Sequence, residues 1–106
     1  MDAARFLVQI LLPLYDNEGR TLDAELFGRV RAELTERFGG LTAHMRAPAR
    51  GLWKTEDGGV ARDDIVILEV MAEALDGPWW DAYRRTLEAR FRQEQILVRA
   101  TRVELL

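Results

Sequence analysis

Hydrophobic and polar positions recur along this chain with two different periods, and the changes of period mark off its elements. Residues 5–12, Arg-Phe-Leu-Val-Gln-Ile-Leu-Leu, are almost continuously apolar and include β-branched and aromatic side chains. Such a run predicts a strand buried on both faces, and so a central one. Pro13 ends it, and Tyr15 to Gly19 supply turn residues. The period then becomes helical: Leu26, Phe27, Val30, Leu34 and Phe38 fall on one stripe. Thr21 or Asp23 is placed to cap that helix, and Gly39 suits the left-handed residue after its end. Glu25 with Arg29, and Glu33 with Arg37, stand four apart with the acid first, so both are expected to pair on a solvated face.

From Leu41 to Arg46 the pattern alternates, with Leu41, Ala43 and Met45 on one side and Thr42, His44 and Arg46 on the other. Pro48 cannot donate to a ladder, which places this strand at a sheet edge or at a bulge. Arg50 to Lys54 resumes it, and Glu56-Asp57-Gly58-Gly59 is a hairpin turn signal. Residues 64–73 make a second two-faced apolar strand, interrupted by the charge of Glu69. Asp76-Gly77-Pro78 announces another helix, whose buried stripe is Trp80, Tyr83, Leu87 and Phe91 with Glu88 and Arg92 paired outside. Trp79 cannot share that stripe and is expected at the helix end. Residues 96–105 alternate more clearly and read as a second edge strand.

Strand, helix, strand, strand, helix, strand is the split βαβ order. It predicts an α+β, ferredoxin-like βαββαβ fold, with residues 1–106 as a single ferredoxin-like domain. The antiparallel sheet should run 4-1-3-2 with both helices on one face. The apolarity of strands one and three, against the mixed character of two and four, supports that order independently.

Period-two parity then sorts the sheet. Phe6, Val8, Ile10, Val66, Leu68 and Val70 should face the helices. The open face should carry Leu7, Gln9, Leu11, Ile65, Ile67, Glu69, Met71, Thr42, His44, Arg46, Leu97, Arg99 and Thr101. A face this apolar is seldom left in water, and a two-fold copy of the chain is the commonest cover, so a homodimer is expected. A two-residue turn at Asp57-Gly58 would place Glu69 opposite Arg46, and a change at the Pro48 irregularity would alter that. A carboxylate there needs a partner, with Arg46 and Arg99 as the candidates.

Composition narrows the chemistry. There are no cysteines in the 106 residues, which removes disulfides and thiol catalysis and fits a cytoplasmic setting. The chain also has no serine nucleophile to offer. The net charge is −3 without a basic block, and the open face lacks the stacking aromatics of RNA-binding modules, so no nucleic-acid partner is expected. The first apolar run is too short to span a bilayer, and it lacks the flanks of a secretion signal, so no membrane association is expected. One histidine without cysteines makes a poor metal site, and the glycines form no phosphate loop; neither metal nor cofactor is expected.

What remains is the polar group on the open face. As a pocket at the dimer interface, it would use His44, Glu69 and Arg99 as catalytic candidates. His44 would act as general base or acid and Glu69 as its orienter or a second acid/base, while Arg99 or Arg46 would hold an anion. Gln9, Arg46 and Trp53 are the ligand-binding candidates. The same residues equally describe an inter-subunit polar network that fixes register.

The motifs Phe-Gly-Gly-Leu-Thr (38–42), Gly-Leu-Trp (51–53), Asp-Asp-Ile-Val (63–66), Trp-Trp (79–80) and Arg-Phe-Arg-Gln-Glu (90–94) resemble those of small bacterial domains of ferredoxin-like fold with no assigned activity. More distantly the layout is similar to the dimeric α+β barrel group. That resemblance implies a ligand held beside the sheet and either isomerase- or monooxygenase-like chemistry; the amino-terminal proline of the tautomerases is replaced here by Met1-Asp2. Two functions are therefore open: a small homodimeric binding or interaction protein, and a cofactor-independent enzyme acting on a small organic molecule.

Overall fold

A computed structural model describes the backbone of residues 4–44, 50–54 and 60–106, and the side chains of 5–44 and 65–106. In chain order the elements are β1 (Ala4–Pro13), α1 (Ala24–Phe38), β2 (Thr42–His44), β3 (Arg50–Lys54), β4 (Val60–Ala72), α2 (Gly77–Arg90) and β5 (Leu97–Glu104). All pairings are antiparallel, in the order β2-β4-β1-β5, and β3 also pairs with β4. β2 and β3 are thus two pieces of one interrupted edge, and the sheet is the ferredoxin-like one read from its other end. The two most apolar strands are the central ones, because only they are covered on both sides by other strands.

The core lies between the sheet and the helices. Val8, Ile10, Leu12, Val66, Leu68 and Val70 are buried against Phe27, Val30 and Leu34 of α1 and Trp80 and Leu87 of α2. Their partners one residue on, from Leu7 to Leu11 and Ile65 to Glu69, are only half-buried, so the parity expected from the sequence is the one observed. Asp23 rather than Thr21 caps α1, accepting from the Glu25 amide, and Gly39 takes φ 79° beyond its end. Asp76 caps α2 by accepting from the Trp79 amide, with Pro78 in the first turn where its missing N–H costs nothing. Trp79 sits at the junction of the helix ends: its ring stacks on Tyr83 at 4.9 Å, meets Phe38 edge-on, and carries the Arg37 guanidinium at 4.0 Å.

The expected helix-surface pairs are replaced by others. Arg29 and Arg90 both reach Glu33, Arg90 with two bonds of 2.6 and 2.7 Å, while Tyr83 donates to the same carboxylate at 2.9 Å. Glu33 therefore ties α1 to α2 and is not available to Arg37. Likewise Glu88 accepts from Arg84 and from the Ile96 amide, and Arg92 instead turns the chain out of α2 with φ 52°. A two-pronged, partly buried pair outcompetes a single exposed one four residues away.

That clamp has a measurable consequence. The Arg90 guanidinium, 15% exposed, holds the Glu33 carboxyl below its ordinary value of 4.5, with Tyr83 assisting. Arg90→Ala is expected to cost about 1–2 kcal/mol in urea unfolding at neutral pH, discounted because Glu33 is itself partly exposed. A depressed carboxylate contributes its stability above the ordinary value and loses it as pH falls through the folded one. The gap between wild type and variant should therefore narrow as pH falls through that lowered value; a gap independent of pH would remove Glu33 as the cause.

Among the described residues no helix is long and apolar enough to cross a membrane.

Candidate functional site

The open face of the sheet is striped. Three side-by-side rows cross its strands. One is Thr101–Leu7–Met71 and one is Leu97–Leu11–Ile67–His44; between them lies Arg99–Gln9–Glu69–Thr42. The outer rows are mainly apolar and the middle row is polar. This stripe follows from antiparallel register alone, since residues opposite one another on neighbouring strands share a face.

The middle row is hydrogen-bonded along its length. Arg99 Nε donates to Gln9 Oε1 at 2.7 Å, and Gln9 Nε2 donates to Glu69 Oε2 at 2.5 Å. From the adjacent row, His44 Nε2 lies 3.0 Å from Glu69 Oε1. The Arg99 donor fixes which end of the Gln9 amide points to it, and so which end meets Glu69. β5, β1, β4 and β2 each supply one member of this chain of contacts.

Glu69 is the more sheltered of the ion-pair partners, with a side chain 18% exposed, against 53% for His44. Its carboxyl is held below the ordinary range first by the Gln9 amide and then by His44. No lysine or arginine side chain among the described residues pairs with it. The bonds from the Gln9 amide and the His44 ring orient this carboxylate and favour its ionised form.

The structure thus gathers Gln9, His44, Glu69 and Arg99 on one face, as the parity of the sequence required. It corrects the register: Glu69 stands opposite Thr42, not Arg46, and His44 stands opposite Ile67. Arg50 stands opposite Asp64, so between His44 and Arg50 the edge takes six steps while β4 takes three. The surplus falls in the stretch containing Pro48. Arg46 and the Asp57-Gly58 turn lie outside the described residues. Trp53 is paired in backbone register with Ala61, six residues along β4 from the partner of His44. At the rise of a strand that is about 20 Å away, so Trp53 is not gathered with the others.

Among the described residues no guanidinium pairs with Glu69; Arg99 reaches it only through Gln9. The amide's role as the link was legible in the run Leu-Val-Gln-Ile-Leu, where a lone polar residue on a two-faced strand needs a bonding partner. A separate shallow cavity, lined by Asp16, Asn17, Glu18, Arg20 and Arg92, contains none of these residues. Among the described residues no group of three or more metal-ligating side chains comes together.

No protein-family model and no curated protein matches the sequence. Two solved structures share the fold over nearly the whole chain. One is a phage SAM lyase in complex with S-methyl-5'-thioadenosine, with a TM-score of 0.59 and 15% identity, covering 99% of this chain and 92% of that one. The other is a phage SAM lyase in the apo state, with a TM-score of 0.60 and 17% identity, covering 96% and 83%. At this identity the likeness is one of fold: the chain has the small α+β architecture that those lyases have.

Proposed function

We propose that this chain is a single-domain, self-associating protein that binds a small organic molecule against the open sheet face, and that it acts on that molecule as a cofactor-independent enzyme. One observation carries the reading: a mostly shielded, ionised Glu69 that Gln9 and His44 orient by hydrogen bonds and that no arginine or lysine among the described residues pairs with. An interaction surface would be expected to pair such a carboxylate with an arginine or lysine of the same chain, because an uncancelled charge at an interface is costly.

The roles follow from the geometry. Glu69 accepts hydrogen bonds from the ligand's hydroxyl or ammonium groups. His44, exposed and in contact with Glu69 Oε1, takes or gives a proton. Arg99 holds an anionic group, and Gln9 fixes the orientation of the Arg99 guanidinium and of the Glu69 carboxylate.

The fold likeness to SAM lyases supplies the first molecule to try. S-adenosylmethionine carries hydroxyls and an ammonium for Glu69 and a carboxylate for Arg99. Its sulfonium charge disappears as the bond from sulfur to the amino-acid side chain breaks with its electron pair left on sulfur, while His44 takes a proton from the adjacent carbon and a carbon–carbon double bond forms in the fragment released. A carboxylate that served only that charge would stabilise the bound substrate more than the transition state, so the reading places Glu69 on the substrate's hydrogen-bond donors instead.

The test is direct. Purified protein is incubated with S-adenosylmethionine and the products are separated chromatographically, with S-methyl-5'-thioadenosine titrated calorimetrically in parallel. Turnover to that thioether, or its saturable binding, is expected. Absence of both at millimolar ligand would remove this ligand class. The same preparation examined by sedimentation is expected to run above monomer mass.

The interaction-protein reading retains one observation in its favour: Gln9, His44, Glu69 and Arg99 already satisfy one another within the chain. It predicts self-association with no small-molecule binding.

A further inference from the structure

Resting on the self-association and ligand site just proposed, we infer that a second copy docks on the open face about a two-fold axis running along β1 above Gln9, so that each copy's Arg99 completes the other's site at Glu69.

Charge and spacing along the polar row select this axis. In the polar row, Arg99 lies one strand to one side of Gln9 and Glu69 one strand to the other. Strands are about 4.8 Å apart, so the positive and negative ends are equidistant from the middle. A two-fold axis along β1 reverses the row while keeping each residue at its height along the strands. It carries Arg99 of one copy over Glu69 of the other, twice, and sets Gln9 over Gln9. Facing sheets lie about 10 Å apart with aligned strands, a gap an arginine side chain spans.

The apolar rows agree with the same axis. Leu11 faces Leu11 and Leu97 faces Ile67 in one row; Leu7 faces Leu7 and Thr101 faces Met71 in the other. Leu97 and Met71, 49% and 41% exposed, are thereby covered. The other in-plane axis, across the strands, sets Arg99 on Arg99 and Glu69 on Glu69. Like charges facing one another in a closing interface cost several kcal/mol, which rules against it.

The axis also explains why the row is unbalanced within one chain. Arg99 bonds Gln9 through its Nε and leaves its terminal nitrogens to reach across, and no described residue of the same copy brings Glu69 a guanidinium, which the other copy's Arg99 does. β2 lies outside the three strands covered in this way, so His44 and Glu69 Oε1 stand at the rim, where a ligand enters. Two equivalent sites result, each built from Glu69 and His44 of one copy and Arg99 of the other.

The test is a mixing experiment. Glu69→Arg and Arg99→Glu are made separately and checked for fold by circular dichroism. Alone, each presents like charges in both facing pairs, and its self-association should weaken about 100-fold against wild type. Mixed in equal amounts, the two form a heterodimer in which both facing pairs are again opposite, and affinity should return to within about tenfold of wild type. Single variants that associate like wild type, or a mixture no better than its components, would overturn the axis.

If either variant does not fold, the cysteine-free chain allows a second measurement. Leu97→Cys mixed with Ile67→Cys should join through a short bismaleimide, whereas joining of Leu97→Cys with Thr101→Cys in its place would overturn the proposal. Neither measurement involves a ligand, so an error in the ligand and an error in the axis show themselves separately.

Discussion

Phe91→Ala is expected to remove about 3–5 kcal/mol of stability, the largest loss from any single truncation in this core. The ring is fully buried and meets Phe27 edge-to-face at 5.2 Å, and it sits where α2 ends. It fills the space between the two helices over the sheet, on the side away from the Trp79–Phe38 cluster. The backbone there is already fixed, because the Phe91 amide donates to Leu87 and the following residue turns into a left-handed conformation. The site therefore cannot collapse onto an alanine, and a cavity with its lost contacts remains. Against a total of about 5–15 kcal/mol for a domain of this kind, the variant should sit at the margin of folding. Urea unfolding would show a lower midpoint with an unchanged slope; a loss below about 1 kcal/mol would mean that the site relaxes. Trp79→Ala makes the contrast, since its ring is half-exposed and its stacking is on the rim.

The contrast between what the sequence disclosed and what it hid follows from the range of each interaction. Parity along β1 and β4 was legible because a residue's face depends only on its neighbours two apart, and Gln9, Glu69 and Arg99 meet for that reason. Strand order was legible because burial on two faces leaves no room for alternation. The register of the interrupted edge was not, because the three extra residues between His44 and Arg50 produce no local pattern beyond Pro48 itself. Arg46 therefore yielded its place opposite Glu69 to Thr42. The Glu33 clamp was hidden for another reason. Local spacing offered Arg37, and only the packing of α1 beside α2 brings Arg90 and Tyr83 to the same carboxylate. Burial, with Glu33 adding to it, pushes the Tyr83 hydroxyl well above its ordinary value. Tyr83 thus acts as a fixed donor, a role no reading of its helical stripe would supply.

Glu69→Gln is expected to lower turnover of a productive ligand about 10²–10³-fold while leaving the fold nearly as stable as before. The substitution is isosteric, and the network can absorb it. Arg99 holds the Gln9 amide so that its Nε2 faces residue 69. A glutamine there can turn its carbonyl to Gln9 and its own amide to the His44 ring, which accepts in its other tautomer. The hydrogen bonds survive and the negative charge does not, so the variant isolates charge from packing. Stability should change by less than about 1 kcal/mol. The pH profile separates the causes further. Gln9 and His44 hold the Glu69 carboxyl below its ordinary value of 4.5, so its charge persists across the neutral range. It is lost only as pH falls through that lowered value, and wild-type turnover should drop with it. The glutamine variant has no such group and its residual rate should lack that acidic limb. Steady-state kinetics on S-adenosylmethionine provide the measurement, with calorimetric titration of S-methyl-5'-thioadenosine alongside. Loss confined to KM would make Glu69 a binding group, loss in kcat a participant in the reaction, and wild-type values in both would exclude it from the site.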